Sequence, residues 1–243
     1  MNWIFPIAGK GKRTLNLGKF KPFIEINNRK ILDWCIQGIK NYVKNKDNLY
    51  FITTKKFETR FSVKKKIRKI LIKNGIKSSV LFVILEKTPK GPGFTVKNSL
   101  QYIKNNKPCA IINSDQYICF DIPRKIYSNK IYLPIYFNTH GKSSYVQINK
   151  NFEINKIVEK KQISFYGSSG VYIFGSSNLL KFSYKIFDSN ILKKRELNMS
   201  DIIDYLIKKY KTKVYPINTF CKFDLGDLSS IKEFKKLFYF KNL

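Results

Sequence analysis

Trp3-Ile4-Phe5-Pro6-Ile7-Ala8-Gly9-Lys10-Gly11-Lys12-Arg13 decides the fold: an apolar run of five residues stops on a loop of glycine and basic residues. A run of that length bounded by turn residues reads as a buried strand, and the helical spacing of apolar residues at 30–43 makes the next element a helix. The unit then repeats. A strand at 49–53 precedes a helix at 58–74, with Phe61, Ile67, Ile70 and Leu71 on one side and Gly75 as its stop. A strand at 80–85 precedes a helix at 94–103, and a buried strand at 109–112 follows. Parallel neighbours need a crossover connection, so this alternation predicts an α/β fold with a mainly parallel central sheet flanked by helices.

Beyond Asp115 the texture changes. Strands at 131–137, 145–148, 154–158 and 171–174 lie close together with turn residues between them, which predicts a small β-rich lobe. Helices return at 178–186 and 200–209, followed by a strand at 213–217 and a helix at 229–240. No Pro/Gly/Ser linker, repeat or low-complexity block interrupts the chain, which is therefore expected to form a single domain over 1–243, in two halves, 1–120 and 121–243.

A length of 243 residues with 43% hydrophobic content supports a real core and excludes wholesale disorder. No apolar run reaches the roughly 20 residues that cross a bilayer, and the start enters a strand rather than a signal peptide, so no membrane partner and a cytoplasmic location are expected. The four cysteines, Cys35, Cys109, Cys119 and Cys221, have neither zinc-site spacing nor the density of a disulfide scaffold, and reduced thiols in apolar surroundings are expected. A net charge of +31 would ordinarily point to nucleic acid. Only six of the 47 basic residues are Arg, however, and the lysines are spread over the whole chain among abundant Asn, Ile, Phe and Tyr. That profile reads as biased composition, and the densest cluster, Lys64 to Lys69, needs no partner as the polar face of an amphipathic helix. No nucleic-acid partner is expected.

Chemistry is concentrated at the ends of the first-half strands. Gly9 and Gly11 let backbone N–H groups approach an oxyanion without a Cβ in the way, while Arg13 and Lys21 supply charge. Taken alone, the loop matches neither the Walker A nor the dinucleotide pattern and is equally a turn with solvated lysines. Asn113-Ser114-Asp115 directly follows the buried strand 109–112, where open α/β sheets bind ligands. A carboxylate there suits a hard Mg²⁺ ion, which takes one or two protein carboxylates and completes its shell with phosphate oxygens. The alternative for such an aspartate is a helix N-cap or an Asx-turn.

In this order the motifs resemble the sugar-phosphate nucleotidylyltransferases, the pyrophosphorylases that join a nucleoside triphosphate to a sugar 1-phosphate. Phe5 to Arg13 looks like the family's G-x-G-(S/T)-R signature, and Lys21-Pro22-Phe23-Ile24-Glu25-Ile26 like its K-P-L continuation. Gly91-Pro92-Gly93-Phe94-Thr95 is similar to the segment beside the nucleotide base, and Ser114-Asp115 stands where the family keeps its magnesium aspartate. Glu159-Lys160 resembles the start of the E-K-P motif that contacts the second substrate, and Gly170-Val171-Tyr172 the G-(I/V)-Y strand. Phe223-Asp224-Leu225-Gly226 resembles the C-terminal W-x-D-(I/V)-G, whose Asp is the second metal ligand. The chain departs from the pattern at Lys12, Gly93, Lys161 and Phe223, which stand for a small hydroxyl residue, Ala, Pro and the neighbourhood of a missing Trp. The Asn-Ser-Asp-Gln form is similar to members from capsule and surface-polysaccharide clusters, including cytidylyltransferases for phosphorylated compounds that are not sugars.

The resemblance implies a Rossmann-like, GT-A-type fold with a nucleotide-binding first half and an acceptor-binding second half. It implies in-line attack of a substrate phosphate oxygen on the α-phosphorus, with pyrophosphate leaving and a pyrimidine triphosphate (CTP, UTP or dTTP) as donor. In it Arg13 and Lys21 are catalytic. Ala8, Gly9, Gly11, Arg13, Gly91, Pro92, Thr95 and Ser114 bind the nucleotide, Glu159, Lys160 and Gly170 the acceptor, and Asp115 and Asp224 the Mg²⁺. Strand alternation at 154–158 would put Glu159 and Lys161 on one face and Lys160 on the other, so only Lys160 of the two lysines should face the acceptor. The partners are then a nucleoside triphosphate and a small phosphomonoester, with a homodimer left open. A glycosyltransferase using nucleotide sugars shares the α/β half but usually offers Asp-x-Asp, where this chain has Ser114-Asp115-Gln116.

Overall fold

Trp3 and Phe5 leave one face of their strand and Ile4 the other, and all three are fully buried, so the first strand sits inside the molecule with a core on either side. The computed structural model describes residues 1–9, 20–139, 143–187 and 196–237. In chain order the first half holds β1 (Asn2–Pro6), a short hairpin of β2 (Glu25–Ile26) and β3 (Arg29–Lys30), α1 (Ile31–Ile39), β4 (Asn48–Thr54), α2 (Lys55–Phe61), α3 (Val63–Lys73), β5 (Ser79–Leu85), α4 (Pro92–Lys97), β6 (Cys109–Ile112) and β7 (Gln116–Phe120). The second half holds β8 (Ile131–Phe137), β9 (Ser144–Ile148), β10 (Ile154–Glu159), β11 (Tyr166–Ser168), β12 (Val171–Phe174), α5 (Ser177–Ile186), α6 (Met199–Tyr210), β13 (Val214–Asp224) and α7 (Leu228–Leu237).

The expected Rossmann-like mixed sheet is present. β5, β4, β1 and β6 run parallel in that order, β12 adds antiparallel to β6, and β8 follows antiparallel to β12. One face packs on α1 and α3 through Leu32, Ile36, Ile67 and Leu71, the other on α5 and α6 through Leu180, Ile202 and Leu206. The second half carries the expected β-rich lobe, in which β9 and β10 pair antiparallel and join the sheet through β11.

Three elements depart from the sequence expectation. The helix expected at 58–74 is two helices, because Ser62 adopts a left-handed conformation (φ 49°) between α2 and α3. The helix expected at 94–103 ends as α4 at Lys97, with a 3₁₀ turn at Leu100–Tyr102. The strand expected at 213–217 extends to Asp224: β13 pairs in parallel with β8 from Val214 to Asn218, passes an irregularity between Thr219 and Cys221, and continues antiparallel to β7. That change of partner carries the chain's last motif to the end of β6.

Candidate active site

Lys21 is held by its neighbours rather than by itself. Phe20 and Phe23 are buried, with the Phe20 ring 4.6 Å from Phe57 and 5.2 Å from Phe23. Pro22 lies in the first turn of the 3₁₀ turn Lys21–Phe23, where its fixed φ suits the geometry. With both aromatic neighbours in the core, the lysine is left to turn toward the sheet end, where Nζ lies 2.5 Å from Asp115 Oδ2. Asp115 follows the fully buried β6, and its carbonyl accepts the Leu225 N–H at 2.7 Å. A Cβ on Gly226 would lie 3.1 Å from Asp115 Oδ2 and 3.3 Å from Lys21 Nζ, so the C-terminal segment passes close against the pair. Leu225 is pinned in a small third core with Trp34, Ile231 and Phe234, and burying a leucine stabilises by about 1.5–3 kcal/mol. Segments far apart in sequence thus meet at one ion pair.

The pair lies in a cleft of about 1060 Å³. Gly9, Gly91, Pro92, Thr95, Ser114, Glu159, Lys160, Gly170 and Asp224 line it. Ala8 is buried and does not line it, while Gly11 and Arg13 fall outside the described residues. Thr95 Oγ1 donates to the Gly91 carbonyl at 3.1 Å, an internal bond of α4. Gly170 has φ +78°, and a Cβ there would meet Asn113 Nδ2 at 2.7 Å, so the wall opposite Asn113 requires glycine. At the β7–β13 junction Asp224 pairs in register with Gln116, the residue after Asp115.

The acceptor motif is arranged differently from the alternation argument. β10 ends at Glu159, and Lys160 turns into the left-handed region (φ 54°), so Glu159 and Lys160 both line the cleft while Lys161 does not. Strict alternation fails because the strand stops one residue too early for it. Glu159 is fixed by two serine hydroxyls, Ser144 donating at 2.5 Å and Ser200 at 2.8 Å to Oε2.

Sequence reasoning missed Lys222. Its side chain is only 6% exposed, and Nζ lies 2.8 Å from Asp224 Oδ2 and 4.6 Å from the centre of the Tyr136 ring. Burial pulls its pKa down, but the Asp224 carboxylate and Tyr136 outweigh that and hold it above the ordinary lysine value, so it stays charged. Its place two residues before Asp224 on a strand was a signal in the spacing, since i and i+2 share a face. Glu196 and Asn198 were also missed. They line the cleft where the Leu197 carbonyl accepts the Gly93 N–H at 2.9 Å and so docks that segment on the Gly91 loop.

Four lysines (21, 90, 160 and 222) and five acids (Asp115, Glu159, Glu196, Asp224 and Asp227) line the cleft among the described residues, so it does not share the chain's overall excess of +31. Position, not bulk charge, distinguishes its lysines. No group of three or more His, Cys, Asp or Glu side chains gathers into a metal cluster among the described residues. The two carboxylates Asp115 and Asp224 still match what Mg²⁺ takes from a protein when phosphates complete its shell. No described helix is long and apolar enough to cross a membrane.

The family model for nucleotidyl transferases matches residues 7–238. No curated protein sequence matches the chain. Among solved structures, the nucleoside-diphosphate-sugar pyrophosphorylase from Vibrio cholerae RC9 superposes with a TM-score of 0.80 at 19% identity, over 96% of this chain and 99% of that one. A UDP-glucose pyrophosphorylase complexed with UDP-glucose gives 0.75 at 17% identity over 98% of both chains. The inositol-1-phosphate CTP transferase from T. maritima gives 0.75 at 13% identity, over 97% of this chain and 94% of that one. At these identities the likeness is one of fold.

Proposed function

Because the chain belongs to the nucleotidyl transferase family, we propose that its cleft transfers a nucleoside monophosphate from a triphosphate to a small phosphomonoester, a sugar 1-phosphate or a similar hydroxylated compound, and releases pyrophosphate. One observation carries this function: Lys21 from the first loop and Asp115 from the end of β6 lie 2.5 Å apart, and Gly226 of the C-terminal motif passes so close that a Cβ on it would lie 3.1 and 3.3 Å from the two side chains. A phosphate oxygen of the acceptor attacks the α-phosphorus in line, the bond to the bridging oxygen breaks, and pyrophosphate departs with the electron pair. Little covalent chemistry falls to the protein, whose work is positioning and neutralising charge. Lys21 faces the transferring phosphorus, and Asp115 and Asp224 would hold Mg²⁺. The ion, when bound, neutralises charge between the reacting phosphates. Arg13 and the Gly9 and Gly11 amides take the departing β and γ groups, while Gly91, Pro92, Thr95 and Ser114 border the nucleoside.

The acceptor is a hydroxylated compound in this proposal because Glu159, held by two serines, and the hydroxyl groups of Ser143, Ser144, Ser168 and Ser169 line its end of the cleft. Such a wall suits a polyol better than a quaternary ammonium, which aromatic faces would recognise. A pyrimidine donor, CTP, UTP or dTTP, is supported by the uridine and cytidine nucleotides in the names of two of the similar structures. Cytoplasmic synthesis of activated precursors for capsule or surface glycoconjugates would use such a product.

The testing experiment combines each of these triphosphates with glucose 1-phosphate, inositol 1-phosphate and choline phosphate in the presence of Mg²⁺ and reads released pyrophosphate. Turnover with a hydroxylated acceptor supports the proposal; no pyrophosphate from any combination contradicts it. With the active pair in hand, Lys160→Ala should raise the acceptor KM about tenfold or more and leave the triphosphate KM unchanged, because its ammonium binds one phosphate as a point charge. Lys161→Ala should change neither. A large effect at Lys161 and none at Lys160 would reverse the assignment.

A further inference from the structure

Four buried side-chain atoms among the described residues have no hydrogen-bond partner: Thr53 Oγ1, Gln116 Nε2, Ser169 Oγ and Thr219 Oγ1. Gln116 and Ser169 line the cleft, whereas Thr53 and Thr219 do not. Gln116 is 2% exposed and Ser169 fully buried, so water does not solvate these groups freely. A buried polar group without a partner is costly, and it persists in a functional wall when something else supplies the partner.

Neither side chain is misplaced by a loose backbone. Gln116 opens β7 directly after Asp115 and lies opposite Asp224 in the register. The Ser169 N–H donates to the Pro134 carbonyl at 2.9 Å, and the carbonyl of the next residue, Gly170, accepts the Asn113 N–H at 3.0 Å. Gln116, next to Asp115 in the chain and opposite Asp224 in the register, thus lines the cleft with an unpartnered amide donor. Ser169 carries its unpartnered hydroxyl between Ser168 and Gly170 in the chain, and all three line the cleft together with Glu159 and Lys160.

We infer that Gln116 and Ser169 are acceptor-binding residues: the Gln116 amide donates to a phosphate oxygen of the phosphomonoester, and the Ser169 hydroxyl bonds a hydroxyl of its body. This rests on the function proposed for the cleft and narrows it, because an acceptor without hydroxyl groups leaves Ser169 unpartnered. A site built to bond a hydroxyl discriminates strongly against compounds that lack one.

Stability and affinity should move in opposite directions. Gln116→Met and Ser169→Ala each remove an orphan polar atom, so each should raise Tm, by roughly 2–4 °C. Each should also raise the KM for the hydroxylated acceptor tenfold or more, with the triphosphate KM within about twofold of wild type. Thr53→Val, outside the cleft, should raise Tm and leave both KM values unchanged. Glucose 1-phosphate or inositol 1-phosphate, whichever is turned over, should at one fixed concentration raise the Tm of wild type more than that of the two cleft variants, a readout of binding without turnover. Gln116→Glu, which keeps the shape and puts an anionic oxygen in place of the donor, should be worse than Gln116→Met. An unchanged acceptor KM in both cleft variants, a triphosphate KM rising equally, or a fall in Tm of the kind a structural partner would cause overturns the inference. An active wild type with unaffected cleft variants overturns it alone, whereas a wild type that releases no pyrophosphate overturns the proposed function itself.

Discussion

Replacing Asp115 by asparagine is expected to cost about 3 kcal/mol or more of transition-state stabilisation, a fall in kcat/KM of at least ~10²-fold, with the fold retained. Asparagine keeps the shape of the side chain and loses its charge, so it gives up an oxygen that would hold the proposed Mg²⁺ and leaves Lys21 without the carboxylate that lies 2.5 Å from it. The pair is partly open to solvent, with Asp115 33% exposed, and pairs of that kind contribute only about 0–1 kcal/mol to stability. Activity and stability should therefore separate. Steady-state kinetics and a thermal melt on the same preparation check this: near-wild-type turnover by the variant, or full wild-type activity in excess chelator, would contradict the assignment of Asp115.

Lys21→Ala is expected to have the next largest effect, a loss of about 10²-fold in kcat/KM, on the scale of removing one preorganised charge aimed at the reacting group. The comparison that gives this meaning is Lys65→Ala. Lys65 is an exposed residue of α3, so its removal changes net charge by the same amount and should alter kcat/KM by less than about twofold. The two variants differ in position alone. Lys21 is held by the buried Phe20 and Phe23 on either side of Pro22, and a Cβ on Gly226 would touch its ammonium. Equal losses in the two variants would mean that the basic surface as a whole, not the cleft, governs activity.

Much of this was legible in the sequence where the chain is continuously apolar. β6, β8 and β12 run over the expected residues because an uninterrupted buried run has clear ends. β7 and β11 escaped notice for the opposite reason: Gln116-Tyr117-Ile118-Cys119-Phe120 sits beside the polar Asn113-Ser114-Asp115, and Tyr166-Gly167-Ser168 is three residues long. The second half of β13 was hidden because its side chains are half-buried or exposed and its alternation is correspondingly weak. Among the site residues, Lys21, Asp115 and Asp224 could be named from motif order, since each follows or ends a recognisable element. Lys222 was overlooked although its spacing from Asp224 was readable, because one lysine among 41 stands out only when the fold brings Tyr136 of another strand against it. Gln116 and Ser169 were invisible for a deeper reason, because an unsatisfied hydrogen bond exists only in the folded molecule. The left-handed turn at Lys160 likewise belongs to the way β10 ends, which strand periodicity does not encode.

The central claim is that the reacting atom is the α-phosphorus, and the most direct measurement follows the label from a triphosphate carrying radioactive phosphorus at either the α or the γ position, incubated with Mg²⁺ and the acceptor that supports turnover. Attack at the α-phosphorus predicts that the α label appears in a new nucleotide-linked product and the γ label in pyrophosphate, in equal amounts and only when acceptor is present. Transfer of the γ label to the acceptor, or release of the γ label as inorganic phosphate with a nucleoside diphosphate left behind, would contradict it.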